Sequence, residues 1–364
     1  MSPGKLESGF ETIQSEEEDR ESAPATYSIA PYPADFTLEV LVSKIDNGSI
    51  IIPEFQRRFV WTIRQSSRLI ESFLLGLPVP AVFLYVEPAR GRLLVVDGQQ
   101  RINSVVYFFQ GLFGLETKGR RVVFKLEGLN PGSPYAGKTY EALRDSNEEA
   151  WRRLNDSVLR SIIIKQLKPN DHTSVFHIFE RLNTGGTHLV GQEIRNCVYL
   201  GTFNARLKKL NVLSDWRQVL ARPREDKRLR DVELILRFLA LLDDSKRYRK
   251  PMKDFLNQFM SLHQNDNEAA LQRYEDLFKR TTTAILTHLG DRPFHRKAGI
   301  NVAIFDAVYT AFARHLDGIP ADIQRRYTAL RANREFDQCV TSSTTDEAVV
   351  KKRLALAAKM LFGG

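Results

Sequence analysis

The chain has 364 residues, 43% of them hydrophobic, which suits one large or two closely packed domains with a substantial core. A formal net charge of +9 favours polyanionic partners, whether nucleic acid or nucleotide phosphates. No apolar run approaches the ~20 residues of a membrane span, the N-terminus is polar and acidic where a secretory signal is basic and then apolar, and the two cysteines, Cys197 and Cys339, make neither a disulfide framework nor a zinc site by themselves, so a soluble, cytoplasmic protein is expected.

Residues 1–30 read as a disordered acidic tail. Glu7, Glu11, Glu16, Glu17, Glu18, Asp19 and Glu21 face only Lys5 and Arg20, and few large apolar residues are available to bury. The rest of the chain is therefore more basic than the whole. Phe36, Leu38, Val40, Leu41 and Ile45 then predict a short helix, opened by Asp35 or Thr37 and closed by Asn47-Gly48. "SIIIPEFQRRFVW" gives a short β-like run broken by Pro53, and "IRQSSRLIESFLLGLPVP" a helix followed by a turn. "AVFLYVE" and "RLLVVD" predict a hairpin through Pro88–Gly91, and Ile102, Val105, Val106 and Phe109 form one stripe of a helix after Asp97.

Further along, "RRVVFKL" and "VLRSIIIKQL" are strand candidates separated by a loop at 129–137 and a polar helix around Tyr140–Leu154. "VFHIFERLN" leads through a Thr-Gly-Gly loop to a helix at "GQEIRNCVYL". Long amphipathic stretches follow at about 229–243, 251–263, 265–289, 298–315 and 346–361. The expected class is α+β: a small mixed α/β domain over 31–200, then a mainly helical domain over 201–364.

The chemistry concentrates at "LLVVDGQQRINS". A strand that ends in Asp97-Gly98 and feeds a helix presents unpaired backbone N–H groups at the turn, a ready anion site strengthened by the helix dipole. Gly98 permits close backbone approach. Gln99 and Gln100 carry amides that can donate to phosphate or position a water, Arg101 offers a bidentate fork, and Asp97 can hold a metal ion or accept a proton. Asp-Gly is also a common turn, and Gln-Gln-Arg would serve as a solvated first helical turn. Two other clusters accompany it: Glu54, Gln56, Arg57 and Arg58 beside Pro53, and Asn183, two glycines, Thr187, Glu193 and Arg195 in "FERLNTGGTHLVGQEIRN".

Together, Ile52-Pro53-Glu54-Phe55-Gln56-Arg57, "LIESFLLGLPVPAVFL", Asp97–Arg101 and "IFERLNTGGTHLVGQEIRN" resemble, in order and spacing, the N-terminal domain of GmrSD-type modification-dependent restriction enzymes, a domain considered similar to the ParB/sulfiredoxin fold. The resemblance covers roughly residues 34–200. It implies nucleotide binding and hydrolysis (ATP, GTP or CTP, with Mg²⁺) in proteins that defend bacteria against phage or foreign DNA. On that resemblance Asp97, Gln99, Gln100 and Arg101 match the hydrolytic motif, Gln56 and Arg57 the Phe-Gln-Arg element lining the site, and Asn183 and Glu193 a third motif. Ile102-Asn103-Ser104 departs mildly from the Leu-Thr that many relatives carry there.

The full restriction enzymes add an HNH nuclease with an Asp-His-Ile type motif, which this sequence lacks, so a stand-alone member is expected. Only "HRKAGIN" at 295–301 has an HxxxxxN pattern, and His295, Arg296 and Lys297 read better as a basic surface before a helix starting near Gly299. Two basic clusters, including Arg224, Lys227, Arg228 and Arg230 and then Arg247 and Arg249, are candidates for tracking a DNA backbone, with Trp216 and Tyr248 among them as stacking or core residues. The reading is an NTP-hydrolysing component of a DNA-targeting defence system, working with DNA, with a partner nuclease or other defence subunit, and with scope for a homodimer. The alternatives are a DNA-binding adaptor using nucleotide as a latch, and a nuclease using Asp97, Glu54 and Glu193 as metal ligands.

Overall fold

The computed structural model describes residues 28–52, 59–87, 91–117, 120–168, 176, 178, 190–296 and 299–363. The chain divides into two compact units, Tyr27–Leu189 and Val190–Gly364. Its class is α+β, a small sheet with helices followed by helices.

In the first unit, β1 (Ser28–Thr37) leads into α1 (Leu38–Asp46), then β2 (Ile50–Ile51), α2 (Ile63–Leu74), β3 (Val82–Val86), β4 (Leu93–Asp97), α3 (Gln99–Phe109), β5 (Leu112–Thr117), β6 (Arg120–Val123), α4 (Tyr140–Ser146), α5 (Glu148–Asp156) and β7 (Val158–Lys168). The five-stranded sheet has the order β1-β7-β3-β4-β2. β3 and β4 form the expected antiparallel hairpin, with Phe83 opposite Asp97, while β7 runs parallel to β3 and β2 parallel to β4. The residues 88–90 of that hairpin lie outside the described residues.

Three features depart from the sequence reading. β1 begins inside the stretch read as a tail and pairs antiparallel with β7, Thr37 opposite Val158. Its two prolines hid it, because Pro31 and Pro33 break the pattern of an interior strand but are tolerated on an edge, where one side of the backbone makes no ladder bonds. The polar helix around Tyr140–Leu154 is two helices: Asn147, at φ −153° and ψ 70°, ends α4 and its side chain accepts from Ala150 N to open α5. β5, also unforeseen, pairs with β6 in a separate hairpin.

One face of the sheet is covered by helices because the helices are amphipathic at 3.6 residues. Leu69, Ile70, Phe73 and Leu74 of α2 and Ile102, Val105 and Phe108 of α3 bury against Val82, Leu84, Val95 and Leu159. Thr37 caps α1 by accepting from Val40 N, as one of the two expected caps. Thr62 and Gln65 form a reciprocal capping box that opens α2.

The second unit holds α6 (Gly191–Val198), α7 (Thr202–Asn211), α8 (Ser214–Val219), α9 (Arg230–Asp244), α10 (Met252–His263), α11 (Glu268–Leu289), a small hairpin β8 (His295–Arg296) and β9 (Gly299–Ile300), α12 (Val302–Arg314), α13 (Ile323–Ala332), α14 (Arg334–Thr341) and α15 (Glu347–Phe362). The five long amphipathic stretches are α9, α10, α11, α12 and α15. The helix expected near 298 starts instead at Val302, because Gly299 and Ile300 pair with β8 and Asn301 caps α12 through Ile304 N at 2.9 Å. Trp216, Phe238, Phe278, Phe305 and Tyr309 form an aromatic core with centroid spacings of 4.6–6.2 Å. Beside it, fully buried Asp306 of α12 accepts from Arg237 of α9 and Arg353 of α15. Among the described residues no helix is long and apolar enough to cross a membrane.

Candidate functional site

The corner after β4 is built so that only glycine fits. Gly98 sits at φ 95° and ψ 10°, in the left-handed region, and a Cβ there would lie 2.2 Å from Val82 Cγ1. α3 begins at the next residue with no side-chain cap from Gly98, so a helix N-terminus and its dipole start directly at the end of β4.

The side chains of the motif hold the corner together as well as line it. Gln100 Oε1 accepts from the backbone N–H groups of Val60 at 3.0 Å and Trp61 at 3.2 Å. Its peptide oxygen accepts from Ser104 Oγ at 2.7 Å, and Ser104 pairs in turn with buried Ser66 of α2 at 2.8 Å. Arg101 Nη2 donates to Asp97 Oδ2 at 2.9 Å and to Ala81 O at 3.2 Å. Asp97 keeps 40% of its side chain exposed and Arg101 19%, and Arg101 Nε is buried with no partner among the described residues.

Two of the motif's side chains are thus partly engaged within the chain. The Arg101 fork, expected to offer itself to phosphate, is engaged in part by Asp97, since i,i+4 spacing across the glycine brings the two charges together. Gln100, whose amide is expected to donate to phosphate or position a water, spends its carbonyl on the chain at 60–61 and keeps its NH₂ end as the donor. That chain is fixed further by Phe59, whose ring stands edge-on to Tyr107 at 4.9 Å and to Phe113 at 5.4 Å. Burial raises the Tyr107 phenol above its ordinary value, opposed by the Arg121 guanidinium over its ring.

Gln56, Arg57 and Asn183, with Glu54 and Thr187, lie outside the described residues. Glu193 belongs to the second unit. There its carboxylate accepts from Val190 N at 2.8 Å and lies 3.6 Å from Arg228, so its described role is to fix the start of α6. Among the described residues no group of three or more His, Cys, Asp or Glu side chains converges as a metal site.

Around Glu193 lies a buried polar cluster that hydrophobic periodicity alone does not reveal. Arg195, buried, donates to Asn257 Oδ1 at 2.9 Å, Glu233 Oε2 at 2.9 Å and Gln192 Oε1 at 3.3 Å, clasping α6 to α9 and α10. Gln192 Nε2, Asn257 Nδ2 and both amide atoms of Asn196 are buried with no partner among the described residues. The available signal was the spacing: Gln192, Arg195 and Asn196 stand at i, i+3 and i+4 on the face that ought to be apolar.

The basic candidates fall into different circumstances. Arg224 and Lys227 are exposed. Arg230 is held by Asp226 at 2.7 and 3.1 Å, and Arg228 faces Glu193. Arg247 lies 3.5 Å from Asp244 and Arg249 3.6 Å from Glu347, both largely exposed. Trp216 and Tyr248 are fully buried, so both are core residues and neither is a stacking platform.

Comparison with known proteins decides the family of the first part of the chain. Residues 38–200 match the family described as GmrSD restriction endonuclease, N-terminal domain. This stretch belongs to that family. The GmrSD N-terminal domain so delimited includes the Asp97–Arg101 corner and, past the end of the first compact unit, α6 with Gln192, Glu193 and Arg195. The chain is also similar to an uncharacterized protein of Methanocaldococcus jannaschii, 32% identical over 90 aligned residues that cover 18% of this chain and 16% of that protein. The match thus spans a small part of that relative's length.

Proposed function

We propose that the chain is a component of a DNA restriction or anti-phage system whose Asp97–Arg101 corner binds and hydrolyses a nucleoside triphosphate. The membership of residues 38–200 in the GmrSD N-terminal domain family supports the restriction role. The observation that carries the nucleotide reading is the corner itself: a left-handed glycine that excludes any Cβ, at a helix N-terminus with no side-chain cap and an arginine within its first turn. Backbone N–H groups held in that way match phosphate oxygens without reorganisation.

In this reading the N–H groups of the first turn of α3 bind a phosphate, and the arriving charge draws the Arg101 guanidinium away from Asp97. The freed Asp97 carboxylate then accepts a hydrogen bond from the attacking water and orients it. Gln99 and the Gln100 NH₂ end complete the polar lining. Asp97 is the residue that would hold Mg²⁺, which when bound offsets phosphate charge; an ion that keeps most of its ligands as water and phosphate oxygen needs only one or two carboxylates, and the half-exposed Asp97 meets that demand.

One observation favours a second reading. With Gln100 pinned to Val60 and Trp61, nucleotide binding at the corner would shift the chain at 59–61 and serve as a latch without turnover. Separate measurements of nucleotide affinity and of phosphate release distinguish the two. Hydrolysis is expected with one of ATP, GTP or CTP and Mg²⁺, and to be lost in Asp97→Ala while binding survives. Tight binding without release from the wild-type chain would favour the latch.

A further inference from the structure

Between α8 and α9 the chain runs Ala-Arg-Pro-Arg-Glu-Asp-Lys-Arg-Leu-Arg, residues 221–230. Its charges are sorted. Asp226 is turned inward and buried; its carboxylate accepts from Arg230 Nε and Nη2 and from the backbone N–H of Arg228 at 2.9 Å, and lies 3.6 Å from Arg222. The Arg230 fork and these backbone bonds hold the Asp226 carboxyl below its ordinary value against the opposing effect of burial, so it stays ionised as an internal anchor. Asp231, also buried, accepts from the Asp226 N–H at 2.8 Å and from Arg217 Nη1 at 2.9 Å, and the same Arg217 nitrogen donates to Arg224 O at 3.2 Å.

While these acids brace the loop from inside, Arg224 and Lys227 are exposed, and neither makes an ion pair among the described residues. Ala221 and Leu229, at the two ends, hold φ angles of 49° and 59°, a left-handed conformation that is unfavourable for a non-glycine residue and persists only where surrounding contacts impose it. Two open grooves flank the loop. One of about 840 Å³ runs along residues 221–230; another of about 530 Å³ is lined by Arg217, Arg222, Leu286 and Asp291 among others, and the two meet at Ala221, Arg222 and Pro223. Into the smaller groove's wall is set Arg217, its Nε buried with no partner among the described residues.

The geometry points to the loop Ala221–Arg230 as a preorganised cradle for the phosphodiester backbone of duplex DNA, with Arg224 and Lys227 as its outward phosphate contacts. The inference rests on the reading that this protein acts on DNA, and it places one contact surface on the helical unit. Exposed cations on a braced loop beside a continuous groove suit a linear polyanion with regularly spaced charge, and they would bind it without reading sequence.

The test is fluorescence anisotropy of the full chain with a labelled duplex across a salt series, using Arg224→Ala/Lys227→Ala and the charge-preserving Arg224→Lys/Lys227→Arg. Loss of two phosphate contacts is expected to weaken binding roughly tenfold and to make the slope of log K against log salt shallower by about 1.8. The charge-preserving pair is expected to keep the wild-type slope, and millimolar ATP or inorganic phosphate to leave the duplex bound. An unchanged affinity and slope in the alanine pair would overturn the inference while leaving the DNA reading intact. Displacement of the duplex by inorganic phosphate alone, sensitive to the same variant, would make the loop a site for free phosphate instead. A wild-type chain that binds no duplex at any salt would overturn the DNA reading itself.

Discussion

Gly98 is the residue on which the candidate site turns, for two independent reasons. Its φ of 95° disfavours any side chain, and Val82 occupies the space a Cβ would need. Gly98→Ala is expected to cost about 2–4 kcal/mol, the sum of left-handed strain and overpacking against the core. Urea denaturation would measure it, and a loss below about 1 kcal/mol would mean that the corner relaxes more readily than its packing indicates. The motif was legible in sequence as a strand-to-helix turn bearing polar residues, because period and punctuation mark such a corner locally. What was not legible is how Gln100 and Arg101 divide their bonding. Gln100 finds Val60 and Trp61, forty residues earlier, and Arg101 reaches Ala81, contacts that no local pattern encodes.

At the level of elements, buried charge locks the helical unit. Arg237, Asp306 and Arg353 tie α9, α12 and α15 together through one carboxylate shared by two guanidinium groups. Asp306→Asn would remove the counter-charge that the two buried cations share and is expected to cost about 3–5 kcal/mol in chemical denaturation. Glu275 of α11 ties that helix to α7. The hydrogen bond from Lys279, with others from Arg206 and Lys209 and against the opposing effect of burial, brings its carboxyl down from 4.5 to about 2. Because the folded value lies below the unfolded one, the stability it contributes is present above about pH 4.5 and is lost as pH falls towards 2. The stability difference between wild type and Glu275→Gln should therefore shrink on acidification through that window; a difference that stays constant would assign the effect to packing. The long helices α9 to α12 and α15 could be foreseen, since amphipathic periodicity accumulates with length. The short α7, α8, α13 and α14 escaped, because ten or fewer residues give that pattern too few turns to register. Edge strand β1 escaped because its prolines mimic a loop.

Over the whole molecule, charge is distributed unevenly. The first 27 residues are acidic and the remainder carries the excess of Lys and Arg. An excess of Lys and Arg there is what the proposed action on DNA, a polyanion, would call for. Net charge alone could not say which cations face solvent: Arg195, Arg217, Arg237 and Arg353 are structural and buried, whereas Arg224 and Lys227 are exposed. The α+β class, the family membership of residues 38–200 and the Asp97–Arg101 corner agree with one another, and the nucleotide reading depends on the corner most of all. The decisive measurement is phosphate release from ATP, GTP and CTP by the full chain with Mg²⁺, with and without duplex DNA, beside Arg101→Ala. Release is expected to rise with DNA and to fall at least about a hundredfold in the variant, as befits loss of a charged group that stabilises the transition state. Release from wild type that is undiminished in Arg101→Ala, or no release of any of the three nucleotides despite measured binding, would contradict hydrolysis at this corner.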